Sequence, residues 1–213
     1  MKECLEGGTF AVKVSVVEFY RQVLELTDGE LLQKLLSVTE IHCLSKRDIF
    51  IREGQPLNYI SFVVSGIFRE WILDANGRDI TDCFSFRYGE PVMPAFDLNA
   101  ACAMVTIEAL TDGEFLCIPI DEVRNLMRED IRFVHIYNRL LARAMERHWE
   151  VKNILHKQTA SERYQWFLLS YPGLIDKVTH RYIASFLEMS PVTLSRLRST
   201  TDRKAESSDE NNE

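Results

Sequence analysis

One segment near the C-terminus reads Val178-Thr179-His180-Arg181-Tyr182-Ile183-Ala184-Ser185-Phe186-Leu187-Glu188-Met189-Ser190-Pro191-Val192-Thr193-Leu194-Ser195-Arg196-Leu197-Arg198. Thr179 can cap a short helix, and Ser190-Pro191 can open a second one. Serine accepts from the free backbone N–H groups of a first turn, and proline lacks the N–H that would go unused there. Two short helices joined by a tight break are typical of a helix-turn-helix, whose second helix enters the major groove of DNA.

The second helix of this segment has an apolar side and a polar side. Leu194 and Leu197, three residues apart, face inward and leave hydroxyls and arginines outside. The candidate DNA contacts of the segment are Thr179, His180, Ser190, Pro191, Val192, Thr193, Ser195, Arg196 and Arg198. An ordinary helical hairpin with a solvated basic face has the same pattern, so these residues alone leave both interpretations open.

The charge of the chain is unevenly distributed. Its net charge is −7, but residues 156–198 carry 6 Lys and Arg against 3 Asp and Glu, a net of +3. Residues 1–155 have a net charge of −7, and residues 199–213 have one of −3. A basic segment between acidic neighbours indicates a site for a polyanion.

Residues 41–120, upstream of this segment, have the sequence pattern of a β domain. Short apolar runs are interrupted every 8–12 residues by turn signals, which predicts a barrel or a sandwich of strands. Asn76-Gly77 suits a tight hairpin turn because both residues tolerate positive φ angles. These signals lie at residues 53–56, 65–66, 74–77, 88–91 and 111–113. We predict a β-roll here, preceded by short helices.

A long helix is predicted after this β-roll. Its apolar residues alternate at spacings of three and four, as in the seam of a coiled coil. This seam consists of Val134, Tyr137, Leu141, Ala144, His148, Val151 and Leu155. Phe133, Ile136 and Leu140 add a second stripe in the N-terminal half only. A helix with two apolar faces must pack on two surfaces, so we expect it to join the β-roll to the same helix of a second copy in a homodimer.

Composition excludes several classes of protein. With 213 residues, 46% apolar and 27% charged, the chain fits a globular protein of one or two domains. Its apolar runs fall far short of the roughly 18 residues of a membrane span, and no secretory signal pattern follows Met1. Five cysteines without a C-x-x-C pair favour reduced thiols, so we expect a cytoplasmic protein.

The C-terminal segment resembles the helix-turn-helix of Crp/Fnr-type bacterial transcription regulators, from Ile183-Ala184 through Ser190-Pro191 to Arg198. Ala160-Ser161-Glu162-Arg163-Tyr164 is similar to the opening of the family's preceding helix. The β-roll is similar in Phe62–Arg69 and in Ile107-Glu108-Ala109-Leu110. The resemblance covers about residues 15–199 in the family's order of sensor roll, dimer helix and DNA-binding domain.

This resemblance implies an α+β fold in four parts. Residues 1–130 form a sensor β-roll, double-stranded and jelly-roll-like, with N-terminal helices. Residues 131–155 form the dimerisation helix, residues 156–199 the helix-turn-helix DNA-binding domain, and residues 200–213 a disordered acidic tail. The implied partners are double-stranded DNA, a second copy of the chain, RNA polymerase and an unknown small effector, with no membrane.

The chain departs from the cyclic-nucleotide-binding members of the family. In those members a Gly-Glu pair and an Arg-Ser pair hold the sugar and the phosphate. Gly89-Glu90 matches the first pair, but Ala103 and Met104 stand at the second. Because no cation faces a phosphodiester there, we expect an effector other than a cyclic nucleotide in a pocket near these four residues. Glu90 can equally be a surface carboxylate of the roll.

The recognition helix also departs from that of the nucleotide-responsive members. Pro191 and Val192 replace the Arg and Glu that those members present first, whereas Arg196 is kept at the later base-reading position. Arg196 is therefore expected to read a guanine edge or to hold a phosphate. The DNA sequence that those members recognise is therefore not expected to be the target of this chain.

Other chemistries find little support. Four of the five histidines lie on predicted helices, so no cupin-type metal site forms, and Cys4 alone cannot hold an N-terminal iron–sulfur cluster. No G-x-S-x-G, P-loop or dinucleotide motif occurs, so neither an enzyme nor a cofactor is expected. The alternative to a regulator is a ligand-sensing or scaffold module whose helix-turn-helix no longer binds DNA, an interpretation that the overall acidity favours.

Overall fold

Short strands and tight turns occupy residues 40–119, between helices on either side. The computed structural model describes the backbone of residues 9–209 and the side chains of residues 16–200. Within this range the strands are β1 (Glu40–Leu44), β2 (Ile49–Ile51), β3 (Tyr59–Ser65), β4 (Phe68–Leu73), β5 (Asp79–Ser85), β6 (Pro91–Val92), β7 (Thr106–Ala109) and β8 (Gly113–Pro119). The helices are α1 (Thr9–Val23), α2 (Gly29–Val38), α3 (Ile120–Glu129), α4 (Ile131–Lys157), α5 (Ala160–Ser170), α6 (Leu174–Lys177), α7 (His180–Phe186) and α8 (Pro191–Asp209).

The strands form two four-stranded sheets, as the predicted β-roll requires. The first has the order β1-β8-β3-β6 and the second the order β2-β7-β4-β5. The pairs β1–β8, β3–β8 and β4–β7 are antiparallel, with His42 opposite Phe115 and Arg69 opposite Glu108. The predicted fold class is confirmed.

The turns between strands lie where glycine predicts them. Gly66 has φ +95°, and a Cβ there would lie 2.7 Å from the Cα of Gly113 on the neighbouring turn. Gly77 has φ +74° but open space around it. Left-handed backbone and close approach together explain why residue 66 must be glycine, whereas residue 77 needs only the conformation.

By its internal contacts the chain divides into two units. The roll unit comprises residues 9–72 and 83–144, and the C-terminal unit comprises residues 73–82 and 145–209. The hairpin between β4 and β5 therefore belongs with the C-terminal unit, and the division between the units falls within α4.

The roll unit has two apolar clusters that share the strands β3 and β8. Val63 and Phe115 lie in the interior of the roll, whereas their chain neighbours Phe62 and Leu116 pack with the helices. Successive side chains of a strand point to opposite faces, so two strands can serve both clusters. The cluster that packs with the helices includes the buried helical residues Phe19, Tyr20, Leu31, Leu35, Val123, Leu126, Phe133, Tyr137 and Leu140.

The predicted long helix is α4, with 27 residues. Its buried residues are Phe133, Tyr137 and Leu140, which lie on one face at helical spacing. We expected Tyr137 on the seam toward a second copy, but it lies in the core of the roll unit. Its hydroxyl donates to the carbonyl oxygen of Phe96 at 2.8 Å, which holds the ring against the roll.

The C-terminal unit has an aromatic core. Phe167 and Tyr171 stack at 4.9 Å between ring centroids, and Phe186 of α7 lies 5.4 Å from Tyr171. Thr159 and Glu162 form a capping box that begins α5.

At the C-terminal end of the unit, α8 continues to Asp209, beyond residue 200, where the expected disordered tail begins. The backbone of residues 200–209 is thus helical, and residues 210–213 lie outside the described residues.

The cysteines differ from one another. Cys83, Cys102 and Cys117 are free thiols as predicted, but the prediction is wrong for Cys43, which is disulfide-bonded. Cys43 is half-buried on the edge strand β1. Burial raises the pKa of Cys117 to about 12. Cys4 lies outside the described residues.

Candidate nucleic-acid interface

The predicted helix-turn-helix is formed by α7, a tight break at residues 187–190, and α8. Ser190 begins α8, because its Oγ accepts from the backbone N–H of Thr193 at 3.0 Å and lies 2.9 Å from the Thr193 hydroxyl. Pro191 is the first residue of α8, as predicted. Thr179 occupies the cap position of α7, but its side chain makes no capping hydrogen bond.

The break itself depends on a residue that the sequence pattern did not identify. Glu188 adopts a left-handed conformation with φ +50°. The N–H of Met189 returns to the carbonyl oxygen of Ala184 at 2.9 Å, which closes the turn. Glycine is the usual signal for such a position, and glutamate gives none.

One side of α8 anchors the helix and the other is exposed. Leu194 is 1% exposed, whereas Val192 is 60% exposed. Pro191, Ser195 and Arg196 are also exposed. Among the described residues the guanidinium of Arg196 makes no ion pair. This outer side carries a hydroxyl and a cation, the groups that hold phosphates and read base edges.

Arg198 and His180 make contacts within the C-terminal unit that the sequence pattern did not show. Arg198 donates from Nη2 to Asp176 Oδ1 at 3.0 Å, and its Nη1 lies 2.6 Å from His180 Nε2. Because arginine stays protonated, the imidazole nitrogen must be the acceptor in this contact. Arg198 therefore ties α8 to α6 and α7, and the contacts of Arg198 and His180 with DNA stay predictions.

The predicted effector residues Gly89 and Glu90 lie in the turn between β5 and β6. The Glu90 carboxylate accepts from the backbone N–H groups of Phe86 and Arg87 at 3.0 and 3.1 Å. Gly89 has φ +77°, and a Cβ there would lie 2.5 Å from a methyl group of Val23. Glu90 thus caps its own turn, in agreement with the alternative that it is a carboxylate of the roll.

The other two predicted effector residues offer no charge to a ligand. Ala103 is buried, and its backbone pairs with Gly54 and Gln55 at 2.9 and 2.8 Å. Met104 is 64% exposed. A mostly apolar crevice of the roll unit is lined by Leu57, Tyr59, Ile60, Val92, Met93, Pro94, Ala95, Asp97, Leu98 and Ile120. It includes none of the four predicted residues, and none of its lining residues is a cation.

Two polar pairs of the roll unit were not identified from the sequence. Arg69 is 1% exposed, and its Nη1 lies 3.6 Å from the Glu108 carboxylate on the adjacent strand. Ser85 donates to buried Glu70 at 3.2 Å. A charged residue in an apolar strand pattern is the signal that could have found them, since buried charges are almost always paired.

The rest of the predicted dimer seam is only partly covered within one chain. Val134, Leu141, Ala144, Val151 and Leu155 are half-buried, and His148 is exposed. Met145 and Trp149 of the same helix are 48% and 61% exposed. This apolar surface on α4 is available to a partner.

Among the described side chains, no group of three or more His, Cys, Asp or Glu could hold a metal ion. None of the described helices is both long and apolar enough to cross a membrane.

Residues 41–130 match the family of cyclic nucleotide-binding domains. The structure is similar to FixK2 from Bradyrhizobium japonicum, with a TM-score of 0.70, 19% identity, and coverage of 79% of this chain and 86% of that one. It is also similar to a crp/fnr-family transcriptional regulator from Eubacterium rectale, with a TM-score of 0.69, 19% identity and coverage of 88% of each chain. The chain has the Crp/Fnr regulator fold.

A third similar structure is the c-di-GMP-responsive regulator CLP from Xanthomonas campestris, with a TM-score of 0.64, 14% identity, and coverage of 84% of this chain and 93% of that one. No curated protein matches the chain in sequence. Within the Crp/Fnr fold, the matched cyclic nucleotide-binding domain spans the roll, and the helix-turn-helix lies beyond it. The proteins from Xanthomonas campestris and Eubacterium rectale are described as regulators.

Proposed function

We propose that this chain is a sequence-specific DNA-binding transcription regulator that acts as a homodimer, and that it is not an enzyme. The observation that carries the proposal is the exposed side of α8, where Ser195 and Arg196 stand on a helix that Ser190 caps and Leu194 anchors. The Crp/Fnr fold supports the same function, because the similar protein from Eubacterium rectale is described as a transcriptional regulator of the crp/fnr family.

In this proposal α8 enters the major groove. Arg196 reads a guanine edge or holds a phosphate, and Ser190, Thr193 and Ser195 lie near the DNA backbone. The net charge of −7 does not prevent this, because charges farther away than about 8–10 Å are screened at physiological salt.

The homodimer rests on the partly covered apolar surface of α4. A second copy would cover this surface, and the twofold axis would place two copies of α8 in half-sites about one helical turn apart. Val151→Glu should therefore give a monomer in sedimentation at micromolar concentration. Ala142→Glu, at an exposed position of the same helix, is the matched control and should stay dimeric. A monomeric native chain would contradict the proposed dimer.

The roll unit is proposed to sense a small effector that is not a cyclic nucleotide. Neither Ala103 nor Met104 supplies a cation for a phosphodiester, and Glu90 is engaged in its own turn. RNA polymerase is the implied partner in transcription. The effector would favour the DNA-binding or the non-binding arrangement of the dimer.

Salt dependence of binding to duplex DNA tests the proposal. Fluorescence anisotropy with a mixed-sequence duplex should show affinity that falls linearly on a log–log plot as salt rises, because bound phosphates release counterions. The alternative, a sensing or scaffold module without DNA binding, is favoured by the acidic net charge of −7. It predicts negligible binding at every salt concentration.

A further inference from the structure

The β4–β5 hairpin, residues 73–82, makes two polar contacts with α7 inside the C-terminal unit. Arg181 donates from Nη2 to the Asp79 carboxylate at 2.6 Å. The backbone N–H of Thr81 donates to the Ser185 hydroxyl at 3.0 Å. The hairpin and the first helix of the helix-turn-helix are thus joined at two points that are 102 and 104 residues apart in sequence.

The spacing of these contacts is matched on the two sides. Asp79 and Thr81 are two residues apart on a strand, a distance of about 6.5–7 Å. Arg181 and Ser185 are four residues apart on a helix, which corresponds to about 6 Å along its axis. Because the two spacings match, both pairs can be in contact at the same time. The hairpin and α7 therefore meet at two aligned contacts and not through a single surface ion pair.

Arg181 lies in the first turn of α7, the helix that crosses the DNA backbone when a helix-turn-helix binds its site. Its side chain is 64% exposed, whereas that of Asp79 is 25% exposed. The Asp79 carboxylate presents to Arg181 the same kind of acceptor as a DNA phosphate, an anionic oxygen. The hydrogen bond and the charge of Asp79 also raise the pKa of Arg181.

We propose that Arg181 is a further DNA-phosphate contact and that Asp79 competes with the phosphate for it. Docking of the hairpin on α7 then weakens DNA binding, and release of the hairpin strengthens it. This inference rests on the proposed function, since it requires that the chain binds DNA.

The expected effect is modest because the ion pair is exposed. Exposed pairs are worth about 0.2–1 kcal/mol, so Asp79→Asn should raise affinity for duplex DNA about 1.4- to fivefold at low salt. The increase should shrink as salt rises, because screening weakens both the competing pair and the phosphate contact.

The chain contains a matched control for this substitution. Asp82 is exposed, lies three residues from Asp79 in the same strand, and changes the net charge by the same amount when replaced by Asn. Binding is measured by anisotropy on one duplex for the native chain, Asp79→Asn, Asp82→Asn, Arg181→Ala and the double variant Asp79→Asn with Arg181→Ala. We expect tighter binding for Asp79→Asn only, and equal binding by Arg181→Ala and the double variant.

Each outcome has a definite meaning. Tighter binding by Asp79→Asn that disappears in the Arg181→Ala background supports the competition, as does binding by Asp79→Asn when the native chain does not bind. Equal gains for Asp79→Asn and Asp82→Asn, or no gain for either, overturn the competition while the native chain still binds DNA. Absence of binding by every variant overturns the proposed function and this inference together.

Discussion

Substitution of Arg196 by Ala should separate DNA recognition from folding. Arg196 is exposed on α8, and its guanidinium makes no ion pair with the described residues. Its removal should therefore change the free energy of unfolding by no more than about 0.5 kcal/mol. If the guanidinium reads a guanine edge, specific binding should weaken by about 1–3 kcal/mol, which is about five- to 150-fold in Kd.

Arg198→Ala is the matched control, two residues along the same helix. Arg198 is tied to Asp176, and the two side chains are 36% and 65% exposed. An exposed pair of this kind contributes about 0–1 kcal/mol, so this variant should unfold at a lower temperature. Its DNA affinity should fall less than that of Arg196→Ala, because Asp176 and His180 already hold the Arg198 guanidinium.

The assay combines anisotropy on a selected operator with thermal unfolding followed by circular dichroism. Salt titration distinguishes the two roles of Arg196. A phosphate contact lowers the salt slope by about one and weakens all sequences alike, whereas a base contact relaxes specificity at one position. Unchanged operator affinity in Arg196→Ala would refute the assignment of Arg196 as a DNA contact.

Further predictions concern the fold and its thiols. Gly77→Ala should cost about 1 kcal/mol of unfolding free energy for its left-handed backbone, and Gly66→Ala about 1–3 kcal/mol more, because its Cβ would lie 2.7 Å from the neighbouring backbone. Equal losses in urea denaturation would contradict this. Ser190→Ala should cost about 1 kcal/mol through the lost cap of α8, as measured by thermal unfolding; no change would show that the cap is redundant. Iodoacetamide at pH 8 should label exposed Cys102 in the folded chain but not buried Cys117, whose pKa burial raises to about 12; labelling of Cys117 without denaturant would refute its burial.

Local patterns predicted the elements of this chain well. Turn glycines predicted the β-roll, the capping residue Ser190 marks a helix start that the structure confirms, and the spacing of apolar residues predicted α4. Each of these signals depends on residues that are close together in the chain. The sequence alone is therefore enough to predict the helix or strand that the signal marks.

The roles of individual side chains were harder to predict. Tyr137 fits the seam pattern, but a hydrogen bond to a carbonyl oxygen 41 residues away holds it in the core. The sequence pattern of Arg198 predicts a DNA contact but does not show its contacts with Asp176 and His180. Such contacts depend on tertiary packing, and no local spacing shows them. The pairing of Asp79 with Arg181 is another tertiary contact that no local spacing shows.

Selection of binding sites from a random duplex DNA pool with the purified native chain tests the central claim most directly. We expect enrichment of a palindrome whose half-sites are centred about one helical turn apart, roughly 10 base pairs. The same selection repeated with a metabolite extract covers the case in which an effector must be bound. Failure to enrich any sequence in both selections would contradict a sequence-specific regulator and leave the sensing or scaffold module as the function of this fold.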